Sequence, residues 1–328
     1  MEESPLKKTP EIIERIRELM EYETAGDPVN GTKWTRKTTE SIALELKKLD
    51  IAVSPNTVAA FLRELGFSLR VNHKKIAISG NATAEARENR DKQFRHIKMI
   101  REQFSSNGDP IISVDTKKKE LVGNFKNNGT AWNNEAVLVN DHDFPSIADG
   151  KVAPYGVYDV TGNHGTVFVG TSHDTPAFAS DCLGRWWKNV GRQNYPEADK
   201  ILVLADNGGS NKPNSAGWLY GISENLCKQY GLSVTVCHYP PGASKWNPIE
   251  HRLFSEISKN WAGIPLRSIE TILKYIRTTS TKKGLRVKAY LVKKFYATKQ
   301  TPTKDQMDSV NITQHSVFPK WNYVVNPI

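Results

Sequence analysis

Three acidic residues stand where carboxylates could act together. Asp115 ends the apolar run that contains Ile111, Ile112 and Val114, and Asp206 directly follows the unbroken apolar run 201–205. Glu250 lies near the start of a helix predicted for 247–261. Short apolar runs of this kind read as strands buried on both faces. A residue just past such a strand sits at its carboxyl end, where open α/β sheets bind ligands. On neighbouring strands Asp115 and Asp206 would repel each other, raising one pKa unless a cation neutralised the pair. A hard divalent ion with oxygen ligands would do so, and Mg2+ is the common choice beside phosphates. Glu250 can swing a third carboxylate toward the same place. Three carboxylates can hold two Mg2+ or Mn2+ ions about 3.5–4 Å apart, one activating an attacking oxygen and one stabilising a leaving oxygen. Phosphoryl transfer at such a site is mostly positioning and charge stabilisation. A lone Asp after a strand serves as a turn residue or a helix cap; the combination of three, with the motifs around them, argues for chemistry.

The elements that must position these residues follow in order. Strands are predicted at 111–114 and 121–125, then at 155–160 and 166–170 around a Gly162-Asn163 turn. A helix capped by Asp174-Thr175 runs to about Val190, carrying Phe178, Leu183, Trp186 and Trp187, aromatics that serve either as core or as a base-stacking platform. The strand 201–205, a helix over 215–230, a strand over 233–237 and the helix bearing Glu250 complete an α/β layer arrangement with a mixed sheet. Lys117, Lys118 and Lys119 beside Asp115 would hold substrate phosphates or form a solvated turn. Gly208, Gly209 and Ser210 give a flexible turn whose N–H groups could approach a phosphate. Lys245 and Trp246, on the loop entering the last helix, and Arg252 within it are placed at the DNA strand. His238 and His251 flank the Glu250 motif, to orient a water, contact DNA or make a structural hydrogen bond. The polar stretch 126–151, with Trp132, is long for a loop; its Asp141, His142 and Asp143 read as metal ligands or as a surface turn.

The N-terminal part reads as helical. Thr9-Pro10 opens a first helix. A second is predicted over 37–49 with Ile42, Leu46 and Leu49 on one face, and a third from the Ser54-Pro55 cap to Leu65, stopped by Gly66. Two short amphipathic helices joined by a tight turn are a helix-turn-helix pattern, or a small bundle without DNA contact. In the first case the third helix is the reader, with Asn56 and Thr57 at the major groove and Arg63 and Arg70 at phosphates. Trp34, Thr35, Arg36 and Lys37 add aromatic and basic character ahead of it. The stretch 82–104 is predicted as a long connecting helix with Phe94, Ile97 and Ile100 in one stripe. The break at Ser105–Pro110 is the main domain boundary. Beyond Gly263 the chain is basic; Lys282, Lys283, Arg286, Lys288, Lys293 and Lys294 form a phosphate-contacting surface or a solvated rim. The segment 317–325 is expected to pack back onto the domain.

With 328 residues the chain allows two or three domains. Its net charge of +10 favours a polyanionic partner over an acidic small molecule. Cys182, Cys227 and Cys237 form no Cys-x-x-Cys pair, so neither a zinc site nor a disulfide framework is indicated. No apolar run reaches membrane-spanning length, and a cytoplasmic, nucleoid-associated protein is expected.

Asp206-Asn207-Gly208 after a strand, then Tyr239-Pro240-Pro241 and Asn247-Pro248-Ile249-Glu250 after the next, resembles the DDE transposase/integrase superfamily. The Asn-Pro-Ile-Glu signature is shared with relatives of the Tc1/mariner and IS630 groups. The closer resemblance is to the ISAzo13-type, or Rhodopirellula, transposase family. It is carried by 113–126, Pro154-Tyr155-Gly156-Val157-Tyr158-Asp159, 205–211 and 237–260, and extends from about Glu11 to Tyr323. One difference is Asn207, where many relatives carry Gly. The resemblance implies an RNase H-like fold with Asp115, Asp206 and Glu250 as the acidic triad. It implies metal-dependent cleavage at element ends, transfer of the freed 3′ hydroxyl to target DNA, and a homo-oligomer on paired ends. It further implies that relatives carry more N-terminal sequence, with another DNA-binding helical unit. The expected domains are a helix-turn-helix region at 1–80, a helical linker at 81–108, an RNase H-like catalytic domain at 109–264 and a basic extension packed on it at 265–328. Two other readings stand beside a transposase: a DNA-binding regulator or inactive remnant, and an RNase H-like nuclease that cuts without joining.

Overall fold

The computed structural model describes residues 12–18, 25–26, 33–34, 38–65, 83–131, 135–243 and 246–328. Thr9, Pro10, Thr35, Arg36, Lys37, Gly66, Arg70, Trp132 and Lys245, and the side chain of Trp34, lie outside the described residues. The chain divides into two compact units, Met1–Ile78 and Ser79–Ile328.

In the first unit, helix α1 (12–18) is followed by the two-residue strands β1 (Ala25–Gly26) and β2 (Lys33–Trp34), paired antiparallel. Helices α2 (Thr39–Lys48) and α3 (Pro55–Glu64) follow. Both start where the sequence offers an oxygen to an otherwise unpaired N–H: Thr38 accepts from Ser41 and Ser54 from Thr57. The predicted apolar stripes meet, with Ile16, Ile42, Leu46, Val58 and Phe61 forming one buried cluster. Leu49, expected on the inner face of α2, is half exposed because the helix has already ended at Lys48.

The second unit is a mixed α/β structure built on a nine-stranded sheet. Its strands are β3 (Ile111–Thr116), β4 (Glu120–Val122), β5 (Gly150–Asp159), β6 (His164–Gly170), β7 (Lys200–Ala205), β8 (Ser233–His238), β9 (Arg286–Val292), β10 (Asn311–Gln314) and β11 (Asn322–Asn326). The order is β10-β11-β8-β7-β3-β5-β6-β9, with β4 pairing β5 off this path. β3, β7 and β8 run parallel, β5 is antiparallel to both β3 and β6, and β9 is parallel to β6. Alternation along β3 decides which face each residue serves. Ile112 and Val114 join the core under α5 (Pro176–Trp186) and α6 (Ala216–Ile222), where Phe178, Leu183, Trp186, Trp187 and Trp218 are buried. The two adjacent tryptophans are therefore core and not a stacking platform.

The opposite face is covered by α4 (Ala84–Asn107), α7 (Ser255–Asn260) and α8 (Ile269–Arg277); the short α9 (Lys304–Asp308) precedes β10. The expected linker helix is instead part of this unit. Ile97, Ile100 and Phe104 of α4 are buried with Ile111, Leu202 and Leu204 of the sheet, each burial stabilising by about 1.5–3 kcal/mol. The C-terminal region also departs from the expected extension: β9 forms one edge of the sheet, while β11 covers β8 at the other side. Alternation in Arg286–Val292, exposed then buried, was the available signal. Asp141 and His142 are exposed, as is Asp143, so this trio is a surface feature. Among the described residues no helix is long and apolar enough to cross a membrane.

One polar clamp fastens α4 to the sheet. The buried Gln93 amide donates to the His238 carbonyl at 2.8 Å and to Asn322 Oδ1 at 2.8 Å, while Asn322 Nδ2 donates back to Gln93 Oε1 at 2.8 Å. Replacing Gln93 by Leu should leave these partners buried and unpaired, lowering stability by about 1–3 kcal/mol. Urea denaturation of the full chain checks this; an unchanged midpoint would remove the clamp from the account.

Candidate active site

β3 and β7 are parallel neighbours in the register Val114 opposite Ala205. Asp115 and Asp206 are each the next residue, so both emerge at the same end of adjacent strands. Neither is free to swing. Asp115 Oδ1 accepts from the Thr116 N–H at 2.7 Å, and Asp206 Oδ1 from the Gly208 N–H at 3.1 Å.

Glu250 arrives from a different element, and Ser113 and Asn247 explain how. Ser113 Oγ donates to Asn247 Oδ1, Asn247 Nδ2 donates to the Val114 carbonyl at 3.3 Å, and the Ile249 N–H donates to Ser113 Oγ at 3.0 Å. Ser113 and Asn247 are fully buried. The Asn-Pro-Ile-Glu motif is thus docked on the very strand that carries Asp115, and Glu250 opens the π-helical turn Glu250–Phe254 that leads into α7. Gly156, opposite Asp115 in the register, leaves room for this docking. A Cβ there would lie 2.6 Å from a Phe254 ring carbon and 2.7 Å from Ile249 Cδ1.

The three carboxylates line one open cavity of about 420 Å3, together with Asp174 and Lys117–Lys119. Burial, first, and then the charge of Asp206 push Asp115 up to about 8; Glu250 adds to this and the Thr116 N–H opposes it. Asp206 is also raised, by burial foremost and by Asp174, against the Gly208 N–H. Among the described residues no group of three or more His, Cys, Asp or Glu is gathered closely enough to enclose an ion. The donor set is nonetheless all oxygen and mutually repulsive, which fits a hard divalent cation.

The structure places the other predicted residues unevenly. Lys117 is nearly buried, paired with Glu120 at 2.5 Å and set over the Trp261 ring at 4.7 Å, so its charge is already engaged. Lys118 and Lys119 are exposed and line the cavity, whereas Arg252 and Trp246 are exposed but do not line it. Asn56, Thr57 and Arg63 belong to α3 of the first unit; Asn56 and Arg63 are exposed, whereas Thr57 is half-buried with its hydroxyl 2.8 Å from Ser54 Oγ.

One contributor escaped the sequence reading, and His238 takes the structural one of its expected roles. Asp174, taken as a helix cap, lines the cavity and accepts from Thr116 Oγ1 at 3.1 Å; the cap is Thr175. His238 is fully buried, and its role is structural. Its Nδ1 lies 2.8 Å from the Asp206 carbonyl, which can only accept, so Nδ1 carries the proton. Nε2 then accepts from Tyr323 OH at 3.1 Å, and Trp218 Nε1 donates to that same oxygen at 3.0 Å. Burial lowers His238 to about 4, keeping it neutral. Tyr323 lies on β11, far along the chain, so nothing local announced this relay.

The proton on Asp115 makes a pH prediction. Unfolded Asp titrates near about 3.9. Between that value and about 8 the folded, metal-free protein holds a proton that the unfolded chain has released, so this group's contribution to stability falls as pH rises through that window. In metal-free buffer, Asp115→Asn should melt above wild type by a margin that widens from about pH 5 to about pH 8. Circular dichroism melts measure it; a margin independent of pH would contradict a proton held at Asp115.

Comparisons with known proteins add the rest. A search of curated proteins finds no match. Among solved structures, the Mos1 transposase paired-end complex with left transposon end aligns at 14% identity with a TM-score of 0.42, covering 80% of this chain and 69% of that one. The Mos1 strand transfer complex aligns at 16% identity with a TM-score of 0.42, covering 80% and 68%. These distant likenesses carry no argument here. The decisive match is to a family model, the Rhodopirellula transposase DDE domain, which spans residues 15–327, nearly the whole chain. The chain belongs to that family and is a DDE transposase.

Proposed function

We propose that Asp115, Asp206 and Glu250 are the catalytic carboxylates of this transposase and that together they hold two Mg2+ or Mn2+ ions. One observation carries the reading: three carboxylates from β3, the end of β7 and the helix after β8 line a single open cavity. When bound, the ions would supply charge stabilisation to the attacking and leaving oxygens of an in-line displacement. The chain's own residues do the positioning. Backbone N–H groups of Thr116 and Gly208 orient two carboxylates, and the Ser113–Asn247 clamp sets the third. Lys118 and Lys119 draw the phosphate backbone to the rim.

The reaction has two balanced steps. Water adds to a phosphodiester at the element end, the P–O3′ bond breaks, and the departing oxygen leaves as a 3′ hydroxyl. That hydroxyl then attacks a target phosphodiester, forming one P–O bond while another breaks and releasing a new 3′ hydroxyl. Bond is exchanged for bond, so joining needs no external energy source.

The order β6-β5-β3-β7-β8, with two antiparallel pairings followed by two parallel ones, supports an RNase H-like catalytic core. In the first unit, α2 and α3 with their shared core support a helix-turn-helix. There α3 reads the major groove through Asn56, and Arg63 meets phosphate. The partners are double-stranded element ends and target DNA, engaged by a homo-oligomer on paired ends as the superfamily resemblance implies.

Metal-dependent cleavage and joining on labelled DNA carrying the repeats that flank the gene tests this. Loss of a partner behind a metal ligand costs about 10–100-fold; Asp115→Asn and Glu250→Gln should lose more than that in both steps while still binding DNA. Joined product in either variant at the wild-type rate would sink the triad assignment, and cleavage without joining in wild type would mark a nuclease.

A further inference from the structure

The carboxylate site has a neighbour that the chemistry above does not use. β3 and β6 are both antiparallel to β5, and β9 is parallel to β6. β6 and β9 therefore finish at the end of the sheet where Asp115 emerges. The segments that leave them, 171–174 and 293–296, are stitched together there. The first carries Asp174 into the cavity; the second carries Phe295. Phe295 is 70% exposed, more than any other Phe or Trp among the described residues.

The fold holds that ring out firmly. The Thr171 N–H and hydroxyl both donate to the Val292 carbonyl, at 3.3 and 3.4 Å. Ser172 Oγ donates to the Lys294 carbonyl at 3.2 Å and accepts from the Tyr296 N–H at 3.2 Å, so it grips the residues on either side of Phe295. Tyr296 is buried, its hydroxyl donating to Asp181 and its ring 5.2 Å from that of Phe178. The His173 ring meets Phe295 edge-on at 85°, centroids 5.7 Å apart. The exposed ring is thus ordered before any partner arrives, which lowers the cost of contact.

The surroundings specify the partner. No acidic residue lies between Glu270 and Asp305 in the sequence, and Lys293 and Lys294, both exposed, precede the ring. Lys294 reaches Asp181 at 3.9 Å yet keeps 59% of its side chain exposed. A free phosphate would use the lysines and ignore the ring; an apolar protein surface would use the ring and ignore the lysines. A DNA duplex uses both. Lysines meet its phosphates, and Phe is among the side chains that enter between stacked base pairs and kink the duplex by about 20–90°. The exposed run Lys293-Lys294-Phe295 has no Asn, Gln or Arg to read base edges, which suits a target of varied sequence and not a fixed element end. We propose that Phe295 is a wedge for target DNA. It enters one base step of the target duplex, Lys293 and Lys294 hold the flanking phosphates, and the kink turns the scissile phosphodiester toward the carboxylates. The proposal rests on the strand-joining reading above and deepens it by naming a residue that selects where joining occurs. Pyrimidine–purine steps unstack most easily, so joining should concentrate there.

The test uses the full chain and two readouts. The first is bending of a duplex of about 20 bp that lacks element-end sequence, has one central pyrimidine–purine step and carries a fluorescent donor and acceptor at its ends. Wild type should raise energy transfer, Phe295→Ala should not, and Phe295→Leu, which keeps an apolar wedge, should restore much of the rise. The second is joining of pre-cleaved element ends. Phe295→Ala should join into intact duplex about tenfold less, as loss of help with unstacking one step implies. It should recover the wild-type rate on a duplex with a central mismatch, where the stack is already broken. Full bending by Phe295→Ala, or a joining defect that the mismatch does not rescue, would overturn the proposal. So would an oligomeric state, measured by sedimentation, that depends on Phe295 while bending does not, since the ring would then belong to a protein interface. Asp115→Asn separates the two readings: it should lose cleavage and joining yet bend the duplex as wild type does. A wild type that bends DNA through Phe295 but never joins would refute the catalytic reading and leave the wedge standing.

Discussion

A buried serine and a buried asparagine hold this site together. Ser113 and Asn247 satisfy each other inside the layer between β3 and the helix that carries Glu250, and they reach two backbone groups besides. A polar contact in that position is demanding, because each unpaired atom there would cost more than the bond contributes. That asymmetry gives the contact its specificity. The helix can dock in only one register without stranding a donor, and that register sets Glu250 near Asp115. Gly156 makes the docking sterically possible, since any side chain there would meet Phe254 and Ile249.

Against this fixed frame the carboxylates are held in conflict. Asp115 and Asp206 occupy equivalent positions on parallel neighbours, and the Thr116 and Gly208 N–H groups ease their repulsion. Lys117, the nearest cation in sequence, is drawn away to Glu120 and Trp261. Asp174 and its hydrogen bond from Thr116 add a further negative group at the same cavity.

Much of this was legible in the sequence, and the reasons differ by element. Runs such as 201–205 announced a doubly buried strand, and the Asp after it inherited its position from strand geometry alone. Caps at Ser54 and Thr175 were equally readable, because capping is a local exchange between a side chain and the next turn. What escaped notice was non-local. Gln93 pairs with Asn322, and His238 with Tyr323, across long stretches of chain. Their residue types are compatible with many other roles. The helix 84–107 looked like a connector because its exposed face is so highly charged, while its narrow apolar stripe was enough to seat it on the sheet. Asp174 looked like a cap because an Asp before a helix usually is one.

The placement of the last strands bears on how the molecule is made. β6 waits for β9, pairing residues 164–170 with 286–292, and β8 waits for β11, pairing 233–238 with the segment from Asn322. Loop closure over such separations is slow, and partly folded chains with open strand edges are prone to join one another. The second unit therefore passes through a period in which β6 and β8 present bare backbone to any neighbour. During that period His238 also lacks Tyr323, so the anchor of Asp206 is among the last features to form. The support behind Asp206 is thereby a late acquisition of the polypeptide, and crowded synthesis at high expression is the condition under which it would most often go astray.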